Sequence, residues 1–448
     1  MVLVVGDRGT GKSALFQAVF TQGLLSDLAR YAPDLRLPFA DPGRMRWVPG
    51  HPAGAGFPDA RGLQRAVQTH EDAVLLWFAY LTRLLSEDLP VEARGSLHAI
   101  LSPPGAAAQR VLAAFRAAGD APLLALDELD RRLQQENRWL FVGYDELDTL
   151  GTFHWEVMAQ AIQGLMAFWA GYTRRWKRLR AKIFLRSDLF ERHAGLGGAD
   201  LAKLAANRVD LGWNNRNLFA VLAKRMANTS EALLRYCRGA RVPFREKPDP
   251  TFGWIPSFQS ADDARPLVER MVGPHMGANR NKGQSFRWIL DHLRDGRGHV
   301  SPRSLIRLCE QAAVHGRAQP RTRPPLLLHP TDLRQALADV STDHVRQAIH
   351  NEWPWLHGVK ERISDHLVPW ERSAIERDLQ RGWNDTWGAG DGNLRPPAPN
   401  AQQLLTYLVD LGIFRQREGG RIDVPDIFLF GLGLRRRGGV QVGRVPPE

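Results

Sequence analysis

Residues 6 to 13 read Gly-Asp-Arg-Gly-Thr-Gly-Lys-Ser. This is a full G-x-x-x-x-G-K-[ST] spacing, and its residue types suit one chemistry, the holding of a polyphosphate. Gly6, Gly9 and Gly11 let the backbone curl with its N–H groups inward, as an anion nest. A helix that follows such a loop points its positive end at the phosphates. Lys12 is expected to reach the β- and γ-phosphates, and the Ser13 hydroxyl to ligate Mg²⁺. The whole loop, Gly6, Asp7, Arg8, Gly9, Thr10, Gly11, Lys12 and Ser13, is therefore the candidate ATP-binding segment.

Phosphoryl transfer also needs a carboxylate on the metal side, and in many ATPases a second one to orient water. The chain offers the same tetrapeptide twice, Asp127-Glu-Leu-Asp130 and Asp145-Glu-Leu-Asp148. The first runs into Arg131-Arg-Leu-Gln-Gln, and Leu126, Leu129 and Leu133 fall on one helical face, so it reads as an amphipathic helix. The second follows Trp139-Leu-Phe-Val-Gly-Tyr, which has strand character, and precedes a turn at Thr149-Leu-Gly. Asp145 is the expected metal-side carboxylate and Glu146 the expected base. Asp148 is expected to be a solvated or supporting acid.

Lys182-Ile-Phe-Leu-Arg186-Ser187-Asp188 reads as a core strand with a polar tip. Ligands of parallel α/β sheets sit at that edge. Arg186 or Ser187 could sense a γ-phosphate there; a structural pairing of Arg186 with Asp188 or Asp145 is the equal alternative. The basic run Arg174 to Arg180 reads as a solvated helix face, with a nucleic-acid patch as the lesser reading. Ser301-Pro-Arg303 opens a helix whose first turn suits proline, and Arg303 could reach a nucleotide from a lid.

The elements that must position these groups follow from periodicity. Val2 to Val5 reads as a buried parallel strand. Ser13 to Leu35 reads as a helix, and 36–60 as a Pro- and Gly-rich loop. Helical patterns cover Arg61 to Leu89, Ala106 to Ala118, Leu124 to Gln135 and Glu156 to Arg180, with a strand at Trp139 to Tyr144. Val209-Asp-Leu211 is a further short strand candidate, and Asn217 to Tyr236 a helix. Alternating strands and helices predict a parallel α/β sheet. Beyond a turn-rich stretch, Gly239 to Ser257, helices run from Asp262 to about Arg317. A Pro-rich break follows at Gln319 to Pro330. The rest reads as helical to Trp383, with a linker at Gly388 to Asn400.

At the C-terminal end, Pro354 to Leu367, Glu371 to Gly382 and Ala401 to Leu411 read as three helices. Ile413 to Arg417 and Arg421 to Leu434 read as two wing strands around Glu418-Gly-Gly420. The third helix carries no Lys or Arg, which argues against reading of DNA sequence and for a structural or protein-docking winged helix.

The chain has 448 residues, 44% apolar and 24% charged, with a formal net charge of +12. That length predicts two or three domains. The basic balance admits nucleic acid as a partner through phosphate-backbone contact, alongside plain solubility. Cys237 and Cys309 are too few and too far apart for a disulfide framework or a C-x-x-C metal site. No apolar run spans a bilayer and no signal peptide opens the chain, so no membrane role and a cytoplasmic location are expected. The chain lacks H-E-x-x-H, Asn-Lys-x-Asp and G-x-S-x-G, the signatures of zinc hydrolysis, guanine reading and serine hydrolysis.

In this order, the Gly6–Ser13 loop, a long helical insert, Tyr144-Asp-Glu-Leu-Asp148, Lys182 to Asp188, Lys203 to Trp213, Pro302-Arg303-Ser-Leu and Arg437-Gly-Gly-Val440 resemble bacterial STAND-type, AAA-like P-loop ATPases. The resemblance implies an ASCE-type P-loop NTPase sheet followed by a helical lid and a winged-helix domain. The turn-rich and Pro-rich breaks along the chain put the boundaries of these expected domains at 1–238 (with the insert at 36–138), 258–318 and 330–448. The resemblance implies that Lys12, Ser13 and Asp145 bind MgATP and that Arg303 is the second sensor. It further implies a nucleotide-driven switch or assembly platform that self-associates or binds a protein partner, some such proteins serving in phage defence. The resemblance departs at the N-terminus, where that family carries sequence before the first strand. Either the fold starts abruptly here or the chain extends upstream.

Overall fold

The computed structural model describes residues 2–25, 27, 42–52, 60–101, 108–151, 155–194, 207–383, 387 and 395–436. The chain divides into two compact units, 1–211 and 212–448.

The first unit is built on strands β1 (Val2–Gly6), β2 (Met45–His51), β3 (Trp139–Tyr144), β4 (Leu179–Arg186) and β5 (Arg208–Asp210). They form one parallel sheet in the order β2-β3-β4-β1-β5, so β4 lies between β1 and β3. Side chains of a strand alternate between faces, and here both faces are covered. Leu3, Val5, Val142 and Ile183 pack under the helices His70–Leu84 and Trp155–Tyr172, with Trp77, Trp169 and Trp176 filling the layer. Val4, Phe141 and Phe184 meet Phe16, Val19 and Phe20 on the other face. The segment after the Gly6–Ser13 loop is thereby bolted to the sheet by aromatic contacts, with Phe16 and Phe20 stacked at 4.9 Å.

Several expectations change. The helix expected from Ser13 to Leu35 is α-helical over Lys12–Phe16 and then π-helical over Gln17–Thr21; most residues beyond Leu25 lie outside the described set. The stretch read as loop at 36–60 contains β2. Its Pro49 and Gly50 masked it, yet β2 is an edge strand, where proline is tolerated because one side needs no ladder donor. The helix expected over Arg61 to Leu89 breaks into Ala60–Ala66 and His70–Leu84, because Thr69 and Asp72 close a capping box. The run Arg174 to Arg180 is no helix. It forms a turn and the first residues of β4, with Arg175 paired to Asp127 and Arg178 over the Trp139 ring at 4.5 Å.

The second unit is mostly helical around one core. Asn215–Thr229 and Glu231–Gly239, expected with the first domain, bury Leu218, Phe219, Leu222 and Cys237 here. Ser230 separates these two helices by capping the second through Leu233 N–H. In the expected lid segment the helices are Arg265–Val272, Ser285–Asp291 and Pro302–Ala318, with a 3₁₀ turn at Ala261–Ala264.

Toward the C-terminus the helices Leu356–Ile363, Arg372–Gln380 and Ala401–Asp410 appear at the expected places. Strands β7 (Arg415–Gln416) and β8 (Ile422–Asp423) form an antiparallel hairpin, bridged to Trp370 through Ile422. The second wing strand does not run to Leu434. Pro425 ends it and leads into a short helix, Asp426–Leu429. Arg435 and Arg436 (β9) then pair in parallel with Leu367 and Val368 (β6), a strand the sequence reading placed in a helix. Residues 203–206, part of the 388–400 linker and the tail from Arg437 lie outside the described residues. Among the described residues, no helix is long and apolar enough to cross a membrane.

Candidate functional site

The loop between β1 and the first helix has the shape its glycines permit. Gly9 and Gly11 take φ of 75° and 95°, a region that side chains resist. A Cβ on Gly6 would lie 2.6 Å from Thr10 Oγ1 and 3.0 Å from the Leu211 carbonyl, so the turn closes too tightly for any other residue. At Gly11 a Cβ would meet nothing within 4 Å, so the loop is open on that side. Thr10 ties the curl by donating its hydroxyl to the Asp7 carbonyl at 2.8 Å. Lys12 Nζ donates to the carbonyls of Gly6 and Asp7 at 2.8 and 2.9 Å. Burial, and next the charge of Arg186, hold the Lys12 ammonium below its ordinary pKa.

β3 delivers the second carboxylate set. Its last residue, Tyr144, is buried against Trp77, and the chain then turns at Asp145-Glu146. The Ser13 hydroxyl lies near enough to the Asp145 carboxylate to favour its charged form, so the loop and the end of β3 meet here. Burial raises the Asp145 pKa, while bonds from Ser13 and the Glu146 N–H and the Lys12 charge oppose that rise. Glu146 is exposed, and partial desolvation, then the neighbouring Asp145 and Asp148, raise its pKa. Its φ is 53°, a left-handed conformation that costs a non-glycine residue about 1–3 kcal/mol. Its carbonyl accepts from Thr149 N and Oγ1 at 3.0 and 2.7 Å, which holds the turn.

Arg186, at the tip of β4, is buried and bonded to Asp188, with Asp148 at 3.5 Å. Burial pushes the Asp188 carboxyl up, yet the Arg186 charge and bonds outweigh it and hold the carboxyl below its ordinary value. Of the two pairings expected for Arg186, Asp188 is the one found. The neighbouring Ser187 is buried at the start of the helix Ser187–Ala194.

The first acidic tetrapeptide has a different occupation. It lies in the helix Ala121–Gln135. The Asp130 carboxylate accepts the backbone N–H groups of Lys177, Arg178 and Leu179 at 2.9, 2.6 and 2.8 Å. Asp127 accepts from Arg175 and from Trp176 Nε1. Both acids are consumed in anchoring the start of β4.

Arg303 lies in the second unit, exposed on the first turn of Pro302–Ala318, which Ser301 caps through the Ser304 N–H at 3.1 Å. Cys237 and Cys309 are free thiols; burial raises their pKa to about 11 and about 12, so neither is a nucleophile at neutral pH.

One residue escaped sequence reasoning. His51, at the end of β2, is buried and makes two bonds to the backbone of Asp145. No motif flags it, because β2 itself was read as loop.

The donor set is an ammonium, loop N–H groups, a hydroxyl and a carboxylate. It fits a polyphosphate with a hard divalent cation. Lys12 and the loop N–H groups would hold the phosphates, and Ser13 with Asp145 the cation.

No family model and no curated protein matches the chain. Solved structures that resemble it include the ORC2 protein of Aeropyrum pernix in its ADPNP-ADP complexes, at 11% identity and TM-score 0.37, covering 95% of this chain and 83% of that one. The same protein in its ADP form gives 11% identity, TM-score 0.30 and coverage of 96% and 84%. The Walker-type ATPase of Pyrococcus abyssi gives 15% identity, TM-score 0.36 and coverage of 95% and 89%. These likenesses are too distant and too loose to carry function, which rests on the residues of the site.

Proposed function

We propose that this chain is a Mg²⁺-dependent ATPase that works as a nucleotide-controlled switch or assembly protein of the STAND/AAA-like kind. The observation that carries the reading is the nest-forming loop itself, with Gly9 and Gly11 at positive φ and Lys12 Nζ held on the Gly6 and Asp7 carbonyls, next to the acidic end of β3 at Asp145. Phosphates need the loop N–H groups and Lys12. Bound Mg²⁺ would supply the positive charge that phosphoryl transfer requires. Glu146 is the candidate group to take a proton from water at its carboxylate, and its raised pKa suits a base. Arg186 and Arg303 are the candidate sensors that would report nucleotide state. The output would be a change in self-association or in a protein partner, as in bacterial signalling or phage defence.

A nucleic-acid-stimulated ATPase is a second reading, favoured by one observation. Residues 212–448 hold 35 Lys and Arg against 25 Asp and Glu, so +10 of the +12 lies in the second unit. There, residues 277–284 are all exposed, carry Arg280 and Lys282, and include no acid. A phosphate backbone would meet such a loop favourably.

The test is ATP hydrolysis by wild type and Lys12→Ala, with and without mixed DNA and RNA, with mass read by light scattering. Turnover that Lys12→Ala abolishes, with ATP-dependent assembly and no response to nucleic acid, supports the switch. Stimulation that fades steeply with salt supports the second reading. Nucleotide binding without turnover in any condition reduces the chain to an ATP-holding scaffold.

A further inference from the structure

The edge strand β2 ends in an irregularity beside the acidic turn. β2 and β3 pair in register from Met45 with Trp139 to Pro49 with Gly143, and then the register slips, so that His51 stands opposite Tyr144. A bulge of one residue re-aims the side chains that follow it. The extra residue is Gly50. A Cβ there would lie 2.6 Å from Val142 Cγ1 and 3.0 Å from Tyr144 Cε1, so the slip needs glycine.

The slip brings His51 onto both sides of one residue. The His51 carbonyl accepts the Asp145 N–H at 2.7 Å. The His51 Nδ1 lies 2.7 Å from the Asp145 carbonyl oxygen. A carbonyl can only accept, so Nδ1 carries a proton. The ring is 6% exposed and sits edge-on to Trp77 at 6.4 Å; Trp77 is itself fixed by donating to the Ala161 carbonyl at 2.7 Å. The second bond fixes the peptide plane that links Asp145 to Glu146. That plane sets the ψ of Asp145 and the φ of Glu146, the residue held at +53°.

We propose that His51 is a positioning residue whose imidazole clamps the Asp145–Glu146 peptide, so that Asp145 meets Ser13 and Glu146 leaves the strand in its left-handed conformation. Its consequence for turnover rests on the ATPase reading above; the clamp itself does not.

The experiment compares wild type with His51→Phe, which fills the space without a donor, and His51→Asn, which restores a donor. Side-chain ¹⁵N spectra of wild type are expected to show one buried imidazole protonated at Nδ1, missing in both variants. His51→Phe is expected to keep the affinity for an ATP analogue measured without Mg²⁺ and to lose the gain that Mg²⁺ adds. Its kcat is expected to fall by about 100-fold, the order that a small misplacement of catalytic groups produces, with partial recovery in His51→Asn. Wild-type Mg²⁺ dependence and kcat in His51→Phe would overturn the proposal. So would a wild-type ring bare at Nδ1, or equal losses in His51→Phe and His51→Asn. If wild type binds nucleotide but never hydrolyses it, the ATPase reading fails, while the spectra and the Mg²⁺ dependence still decide the clamp.

Discussion

Arg186 holds Asp188 in two parallel bonds, Nε to Oδ1 at 3.0 Å and Nη2 to Oδ2 at 2.7 Å. Both side chains are largely buried, at 10% and 13% exposure, and Arg186 has a second acidic neighbour in Asp148 at 3.5 Å. Removing one partner of a buried pair typically costs about 3–5 kcal/mol, of which the Asp148 contact would offset a part for Arg186. Asp188→Ala is therefore expected to lower stability by that order in urea unfolding. An unchanged midpoint would show that the pair is not structural.

The two acidic tetrapeptides should separate cleanly. Asp130→Ala leaves three backbone donors without their carboxylate and is expected to cost about 3 kcal/mol or more. If it still folds, it should bind nucleotide as wild type does. Asp145→Asn should do the reverse, keeping stability while abolishing Mg²⁺-dependent turnover. Calorimetric binding and denaturant titration on both variants decide the matter, and a loss of Mg²⁺ response in Asp130→Ala would undo the assignment.

Lys12→Ala removes the ammonium that bridges the Gly6 and Asp7 carbonyls. Charge-assisted bonds contribute about 1.5–3 kcal/mol, so nucleotide affinity should drop roughly 10- to 100-fold. Titration calorimetry with a non-hydrolysable analogue measures it. Affinity within error of wild type would place the phosphates elsewhere.

In the second unit, Asp423 is fully buried and accepts from Arg415, Arg417 and Arg436. Burial pushes its pKa up, but the bonds from Arg436, Arg417 and Arg415 outweigh it and hold the carboxyl below its ordinary value. A lowered carboxyl pKa stabilises the fold above the unfolded value, and that stabilisation disappears as pH falls through the folded one. Stability of wild type should therefore drop as pH descends below about 4. Asp423→Asn should be less stable at neutral pH and show a shallower acid slope. Parallel pH–stability curves for the two proteins would contradict this.

Gly143, in β3, has the Phe20 ring where a side chain would stand; a Cβ would lie 2.6 Å from it. Gly143→Ala should displace Phe20 and the segment that follows Lys12, at a cost of about 1–3 kcal/mol. Thermal unfolding with a paired nucleotide titration reads both effects. No change in either would mean the ring moves freely aside.

Much of the candidate site was legible because its signals are local. The glycines of the Gly6–Ser13 loop require positive φ, and Gly9 and Gly11 have it. The choice between the two acidic tetrapeptides followed from helix-forming neighbours in one case and β-prone neighbours in the other, and Trp139–Tyr144 is the strand. What failed was whatever depends on a neighbour remote in sequence. β2 resists recognition because Pro49 and Gly50 are poor strand residues, and only its place at the sheet edge makes them acceptable. Leu367 and Val368 pair with Arg435 and Arg436, residues too distant for any periodicity to connect.

The sequence by itself determined the loop, the residue types aimed at a phosphate and a cation, and the alternating strands and helices of the first unit. These follow from backbone freedom and hydrophobic periodicity, which act over a few residues. The tertiary structure alone decided which charges are spent internally. Asp130 is taken up by the backbone of β4, and Arg415, Arg417 and Arg436 by Asp423. It alone brought His51 to Asp145, across 94 residues of chain. A buried polar group must find a partner, and which partner it finds is set by the packing of whole elements.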